Sequence, residues 1–194
     1  QALPTLDRRK SAPATGLAKG AYGLAGDPSE TPEVILIATG SEVALAVSAY
    51  EQLADEGIKA RVVSMPSWEV FERHCREHPG YREEVLPAQV KARVSVEQAS
   101  EFGWERYVGL PANTIGMETF GASAPLKELQ KHLGLEPDHV VDVALGKPVR
   151  ELGRQRYLGA RERDRQPVAI GADDLSGNGV HRRRSDEVGD EQVD

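Results

Sequence analysis

Val34-Ile35-Leu36-Ile37-Ala38-Thr39-Gly40-Ser41-Glu42-Val43 sets five consecutive apolar residues directly against a turn and a helix start. A short, continuous, β-branched run of this kind matches a strand buried on both faces, the usual condition in a parallel sheet. Thr39 to Glu42 have the capping-box spacing, in which the threonine hydroxyl accepts an orphan N–H and the glutamate returns the bond; Ser41 is the alternative cap. Val43, Val47, Tyr50, Leu53 and Ala54 then recur at spacings of three and four. They make one apolar helix face, and Gly57 supplies a left-handed stop. Ala60 to Met65 is the next strand. Strand, crossover helix and second strand form a right-handed βαβ unit. The expected fold class is α/β: a three-layer α/β/α domain whose sheet has about five mostly parallel strands, with room for one antiparallel edge.

The 194 residues are enough for one domain of ordinary size with tails. A formal charge of −7 leaves no broad positive surface, so neither nucleic acid nor an anionic membrane is an expected partner. A single cysteine, Cys75, cannot form an internal disulfide, and this fits a reducing cytoplasm. No apolar run approaches the roughly 18 residues of a membrane span. The chain starts at Gln1 instead of methionine, as expected of a processed protein or a piece of a longer one.

Residues 1–32 read as an interdomain linker punctuated by Pro4, Pro13, Pro28 and Pro32, except that Ala21, Tyr22 and Leu24 fit a short edge strand. The domain proper is expected over 33–146. Ser67 can cap a helix whose Val70 and Phe71 face inward, ending at Pro79-Gly80. Tyr81 to Leu86 is a short helix closed by Pro87. Val94 and Val96 lie on one side of a third strand over Ala92 to Glu97. Phe102 to Val108 reads as a short helix or irregular turn packing rings on the sheet. A fourth strand over Asn113 to Met117 precedes a helix from Pro125 to Leu133, stopped by Gly134. A last helix runs from Pro137 to Leu145 with Val140, Val141 and Ala144 on one face. Residues 147–194 are dense in charge and glycine and are expected to be a disordered tail, the triplet Arg182-Arg183-Arg184 being part of its solvated surface.

Several constellations bear on chemistry. Gly40 and Ser41 lie between a buried strand and a helix N-terminus, where free N–H groups and the helix dipole can hold a small anion; a purely structural cap is the alternative. His74, Cys75 and His78 are close enough to share a metal, or are ordinary exposed residues of a polar loop. Gly121-Ala122-Ser123-Ala124-Pro125 approaches the nucleophile elbow of hydrolases, with Asp138 and His139 downstream. Pro125 spoils the motif, and Ser123 as an N-cap is the structural alternative. Trp68, Phe71, Trp104, Tyr107 and Phe120 form either an aromatic pocket or core.

Four segments together resemble the C-terminal domain of transketolase. They are Val34 to Val43; Arg61-Val62-Val63-Ser64-Met65-Pro66-Ser67; Ala92 to Glu97 continuing to Phe102-Gly103-Trp104-Glu105-Arg106-Tyr107-Val108-Gly109; and Ile115-Gly116-Met117 with Phe120 to Pro125. The likeness covers roughly Gln1 to Leu145. It implies a three-domain, homodimeric, cytoplasmic transferase that moves a two-carbon ketol unit between sugar phosphates in the pentose phosphate pathway. Thiamine diphosphate and a divalent metal, magnesium or calcium, would be held by the N-terminal and middle domains through a Gly-Asp-Gly motif. Here Gly26-Asp27 runs into Pro28 and Gly189-Asp190 into Glu191, so that motif is absent. The resemblance thus assigns this chain no catalytic and no cofactor-binding residue. It implies a role in domain packing and dimer stability; a stand-alone interaction module of the same fold is the alternative. The segment from Glu72 to Gly80, which holds the histidine and cysteine cluster, is longer than the family pattern.

Overall fold

The structure, a computed structural model, describes residues 3–7, 9–117 and 120–147. The expected tail, from residue 148 on, lies outside the described residues. A 3-10 helix over Ala14–Lys19 leads into β1 (Tyr22–Ala25) and β2 (Val34–Ala38). There follow α1 (Glu42–Asp55), β3 (Ala60–Ser64), α2 (Trp68–Glu77), α3 (Tyr81–Val85), β4 (Arg93–Val96), α4 (Glu105–Val108), β5 (Thr114–Ile115), α5 (Leu126–Leu133) and α6 (Pro137–Ala144). The strands stand in the order β1-β3-β2-β4-β5, and β1 alone is antiparallel to its neighbour. This is the expected five-stranded, mostly parallel α/β sheet. Its antiparallel edge comes from the one part of the expected linker that reads as a strand.

All five residues of β2 are buried. Because successive side chains alternate across a pleated strand, Val34, Leu36 and Ala38 enter one apolar layer with Ala46, Ala49, Leu53 and Val140. Ile35 and Ile37 enter the opposite layer with Phe71, Tyr81, Trp104 and Tyr107. A sheet clothed on both faces is the three-layer arrangement anticipated for a parallel strand set.

The buried stripe of α1 differs from the expected one. It consists of Glu42, Ala46, Ala49 and Leu53, whereas Val43, Val47 and Tyr50 are half-buried and Ala54 is exposed. The alanines let the helix axis come close to the sheet, so the larger residues flank the contact line instead of forming it. The capping box does not form either. Ser41 occupies the N-cap in helical backbone and makes no capping bond. Its hydroxyl donates to Glu42 Oε1 at 2.6 Å, and the Glu42 N–H donates to the Thr39 carbonyl. The other end of α1 follows expectation: Gly57, at φ +78°, and Ile58 donate to the carbonyls of Ala54 and Leu53, a Schellman closure.

Ser67 caps α2 as expected, accepting the Val70 N–H at 3.3 Å, and α2 ends just before Pro79-Gly80. Trp104 and Tyr107 pack beneath the sheet, but Phe102 is 87% exposed and does not. Pro125, not Ser123, stands at the N-cap of α5, which has no side-chain cap. Gly134 ends α5 in the left-handed conformation.

Two arginines close the irregular connections. Arg93 donates to the carbonyls of Leu86, Pro87, Val90 and Tyr107, tying β4 to the preceding turn and to α4. Arg61 donates to the carbonyls of Glu30 and Glu84. Buried carbonyls without partners would each be costly, and these guanidiniums supply the missing donors.

The 3-10 segment docks on α2 through Gly20. Its carbonyl accepts the Ser67 N–H at 3.1 Å, and a Cβ built on it, at φ +80°, would lie 2.2 Å from the Phe71 nitrogen. Gly20→Ala is therefore expected to cost about 3 kcal/mol in denaturant unfolding, through both the left-handed backbone and the overlap.

Two tyrosines make stability sensitive to alkali. Tyr81 donates its hydroxyl to the Ala21 carbonyl at 2.7 Å, and Tyr107 donates to Glu72 Oε1 at 3.0 Å. Burial pushes both phenols up to about 12, helped in Tyr107 by the Glu72 carboxylate. An unfolded tyrosine ionises near pH ~10, so above that pH the folded state retains protons that the unfolded state loses. Stability should be flat in this respect below pH ~10 and fall as pH rises towards about 12. Tyr107→Phe should make the decline measurably shallower in unfolding curves taken across that range.

Candidate functional site

In this sheet β2 pairs with β3 on one side and β4 on the other. The chain leaves β2 in one direction and returns on its far side, so the carboxyl ends of β2 and β4 part company. Doubly wound sheets bind ligands at such a switch point. Here Thr39-Gly40-Ser41 follows β2, Met65 to Glu69 follows β3, and Glu97 follows β4. Thr39, Ser67, Trp68, Glu69, Glu97 and Trp104 line a shallow hollow of about 190 Å³ there. A larger hollow, about 270 Å³, lies at the opposite end of β3, between the 27–32 turn and the end of α1. Its Lys59 is already paired with Glu30 at 2.9 Å, which leaves the switch point as the better candidate.

Gly40 and Ser41, the residues expected to hold an anion, follow Thr39 at the rim of this crevice and are not among the residues that line the hollow. Gly40 is exposed and takes φ +56°, a conformation glycine adopts without strain. The chemistry around them is acidic. Ser41 spends its hydroxyl proton on Glu42, which is only 8% exposed. Burial pushes the Glu97 carboxyl up, and the Glu42 charge adds to the shift. An incoming anion would face these carboxylates, and no cationic side chain is among the described residues that line the hollow. The residues present do not fit a diphosphate group. A hydroxyl-bearing or cationic ligand suits the crevice better.

The aromatic residues beside it serve as core. Trp68 meets Trp104 edge-on with ring centroids 5.1 Å apart and Tyr107 at 5.8 Å, and the Arg106 guanidinium lies 5.7 Å from the Trp68 ring. Phe120, expected to belong with them, is 97% exposed.

The hydrolase constellation does not assemble. Asp138 accepts a bond from Gln52 at 2.9 Å, and His139 Nδ1 lies 2.8 Å from the Gly134 carbonyl, so both are committed to fastening α6. Ser123 is exposed in the segment before α5. His74 and His78 come together at the end of α2, but Cys75 points elsewhere: it is half-buried against the aromatic layer, and burial pushes its thiol up. Sequence spacing missed Glu97, because nothing in Val94-Ser95-Val96-Glu97 tells that its neighbour across the crevice is Glu42.

The family model for the transketolase-like C-terminal domain matches residues 20–136, a span holding all five strands. The chain belongs to the transketolase family. Transketolase from Bacillus subtilis is 44% identical over 142 residues, covering 73% of this chain and 21% of that protein. Among solved structures, transketolase from Leishmania mexicana superposes with a TM-score of 0.58 at 38% identity, covering 74% of this chain and 21% of its own. A Pichia stipitis transketolase solved in complex with sedoheptulose-7-phosphate gives 0.62 at 35% identity, covering 77% and 21%. The chain thus spans about a fifth of the length of the transketolases it matches. Among the described residues, no helix is long and apolar enough to cross a membrane.

The acidic crevice generates a pH-dependent prediction. A carboxyl whose folded pKa is raised carries no penalty below its unfolded pKa and an increasing one as pH rises through the folded value. Glu97→Gln should therefore raise the melting temperature at neutral pH and leave it unchanged near pH ~3, where the carboxyl is protonated in both states. Equal gains at both pH values would show that ionisation is not the cause.

Proposed function

We propose that this chain acts as the C-terminal domain of a thiamine-diphosphate-dependent transketolase, the cytoplasmic enzyme that transfers a two-carbon ketol unit between sugar phosphates in the pentose phosphate pathway. The observation that carries this reading is the match over 20–136, which takes in the whole sheet yet only a fifth of transketolases of known name. The thiamine diphosphate and its magnesium or calcium belong, in this reading, to the N-terminal and middle domains. Two features of the chain support that division of labour. The sequence contains no Gly-Asp-Gly, and the switch-point crevice is lined by carboxylates that would repel a diphosphate. A small anion at Gly40 and Ser41 would have to displace the Ser41 hydroxyl from Glu42.

The domain's own contribution is contact with the other domains and support of the homodimer. Phe102, Leu110 and Leu126 are exposed large apolar residues within one span of 25 residues after β4, as suits a surface covered by other parts of an enzyme. The purified chain, supplied with thiamine diphosphate, magnesium, xylulose 5-phosphate and ribose 5-phosphate, should show no turnover. In sedimentation it should associate with a separately produced N-terminal and middle-domain portion of the Bacillus subtilis relative. Phe102→Ser with Leu110→Ser should weaken that association about tenfold, equivalent to about 1.4 kcal/mol. Turnover by the chain alone would sink the proposal.

A further inference from the structure

Among the described residues, one cluster away from the crevice brings metal-ligating side chains together. His74 and Glu77 occupy the last turn of α2 and His78 its C-cap, and one ligand atom from each lies within 4.8 Å of the others. We propose that His74, Glu77 and His78 form a surface site for a divalent transition metal of the zinc class, independent of any metal that serves catalysis in transketolases.

The geometry is close to what such an ion requires. Four-coordinate zinc, with bonds of roughly 2.0–2.2 Å, sets its ligand atoms roughly 3.3–3.6 Å apart. Closing from 4.8 Å needs small χ rotations in side chains at the end of a helix, two of which, Glu77 and His78, are exposed. Residues four apart share a helix face, and the two imidazoles are already stacked with centroids 4.1 Å apart and planes 22° apart. The Tyr81 ring meets His74 edge-on at 4.6 Å, which limits its rotation.

Protonation favours ligation as well. His78 Nδ1 lies 3.1 Å from the His74 carbonyl oxygen, which can only accept. That contact places the proton on Nδ1 and leaves the Nε2 lone pair for a metal, the arrangement by which a second bond fixes a ligating histidine's tautomer. A bound cation would also sit at the C-terminal, negative end of the α2 dipole, with the Glu77 carboxylate offsetting part of its charge. Three protein ligands leave a fourth position for water. Cys75, on another face of α2, takes no part.

Zinc chloride titrated calorimetrically into the chelator-stripped 194-residue chain tests this. One zinc per chain should bind saturably and raise the melting temperature by mass action. Glu77→Gln should weaken binding about tenfold, an effect of about 1.4 kcal/mol, and His78→Ala or His78→Gln should weaken it further. The metal-free melting temperatures of these variants should stay at the parent value, and Cys75→Ser should bind zinc as the parent does. Absence of saturable binding, or undiminished binding by both His78 variants, overturns the proposal.

Discussion

Burial of β2 on both faces is the constraint on which the rest of the structure depends. A strand with parallel neighbours on either side and no solvent-facing side chain needs an apolar layer above and another below. The chain meets that need with α1 and α6 on one side and α2, α3 and α4 on the other. Leu36 and Ile37, adjacent in sequence, therefore lie in different cores. Truncating a fully buried leucine commonly costs 2–5 kcal/mol, a large part of what holds an ordinary domain together. The short β5 and the antiparallel β1 extend the sheet on either side and protect its centre from an open edge.

The same wiring that buries β2 opens the crevice at its carboxyl end, and the side chains there are acidic. In dinucleotide-binding sheets of similar topology, a glycine turn and a helix N-terminus present N–H groups to a phosphate. Here the turn exists, yet Glu42 sits in the first turn of α1, accepts the Ser41 proton and lies close enough to raise the Glu97 carboxyl. A helix dipole that would attract a ligand anion is thus met by the protein's own carboxylate.

Much of the fold was legible in the sequence because its signals are local. The apolar run at Val34–Ala38, the glycine stops at Gly57 and Gly134 and the Ser67 cap each act within a few residues, and each appears where its pattern placed it. The failures share a cause. Val43, Val47 and Tyr50 outrank Ala46 and Ala49 in hydrophobicity, but the distance between helix and sheet decides which face is buried. Phe102 and Phe120 look like core residues by type and are exposed, because burial depends on what lies opposite a ring and not on the ring itself.

The candidate sites divide in the same way. Sequence alone established the α/β class and the parallel strand set, since backbone propensity, pleat alternation and turn chemistry are written in short windows, while the family came from the resemblance of four segments to transketolase. Sequence also located Gly40, Ser41, His74 and His78. Only the folded chain shows which groups surround them. It brought Glu42, at the start of α1, close enough to Glu97, after β4, to raise that carboxyl, set Glu77 in place of Cys75 beside the histidines, and committed Asp138 and His139 to holding α6. Electrostatic and ligating partners are chosen by distance in space. Contacts across a sheet join residues tens of positions apart, and no local pattern encodes them.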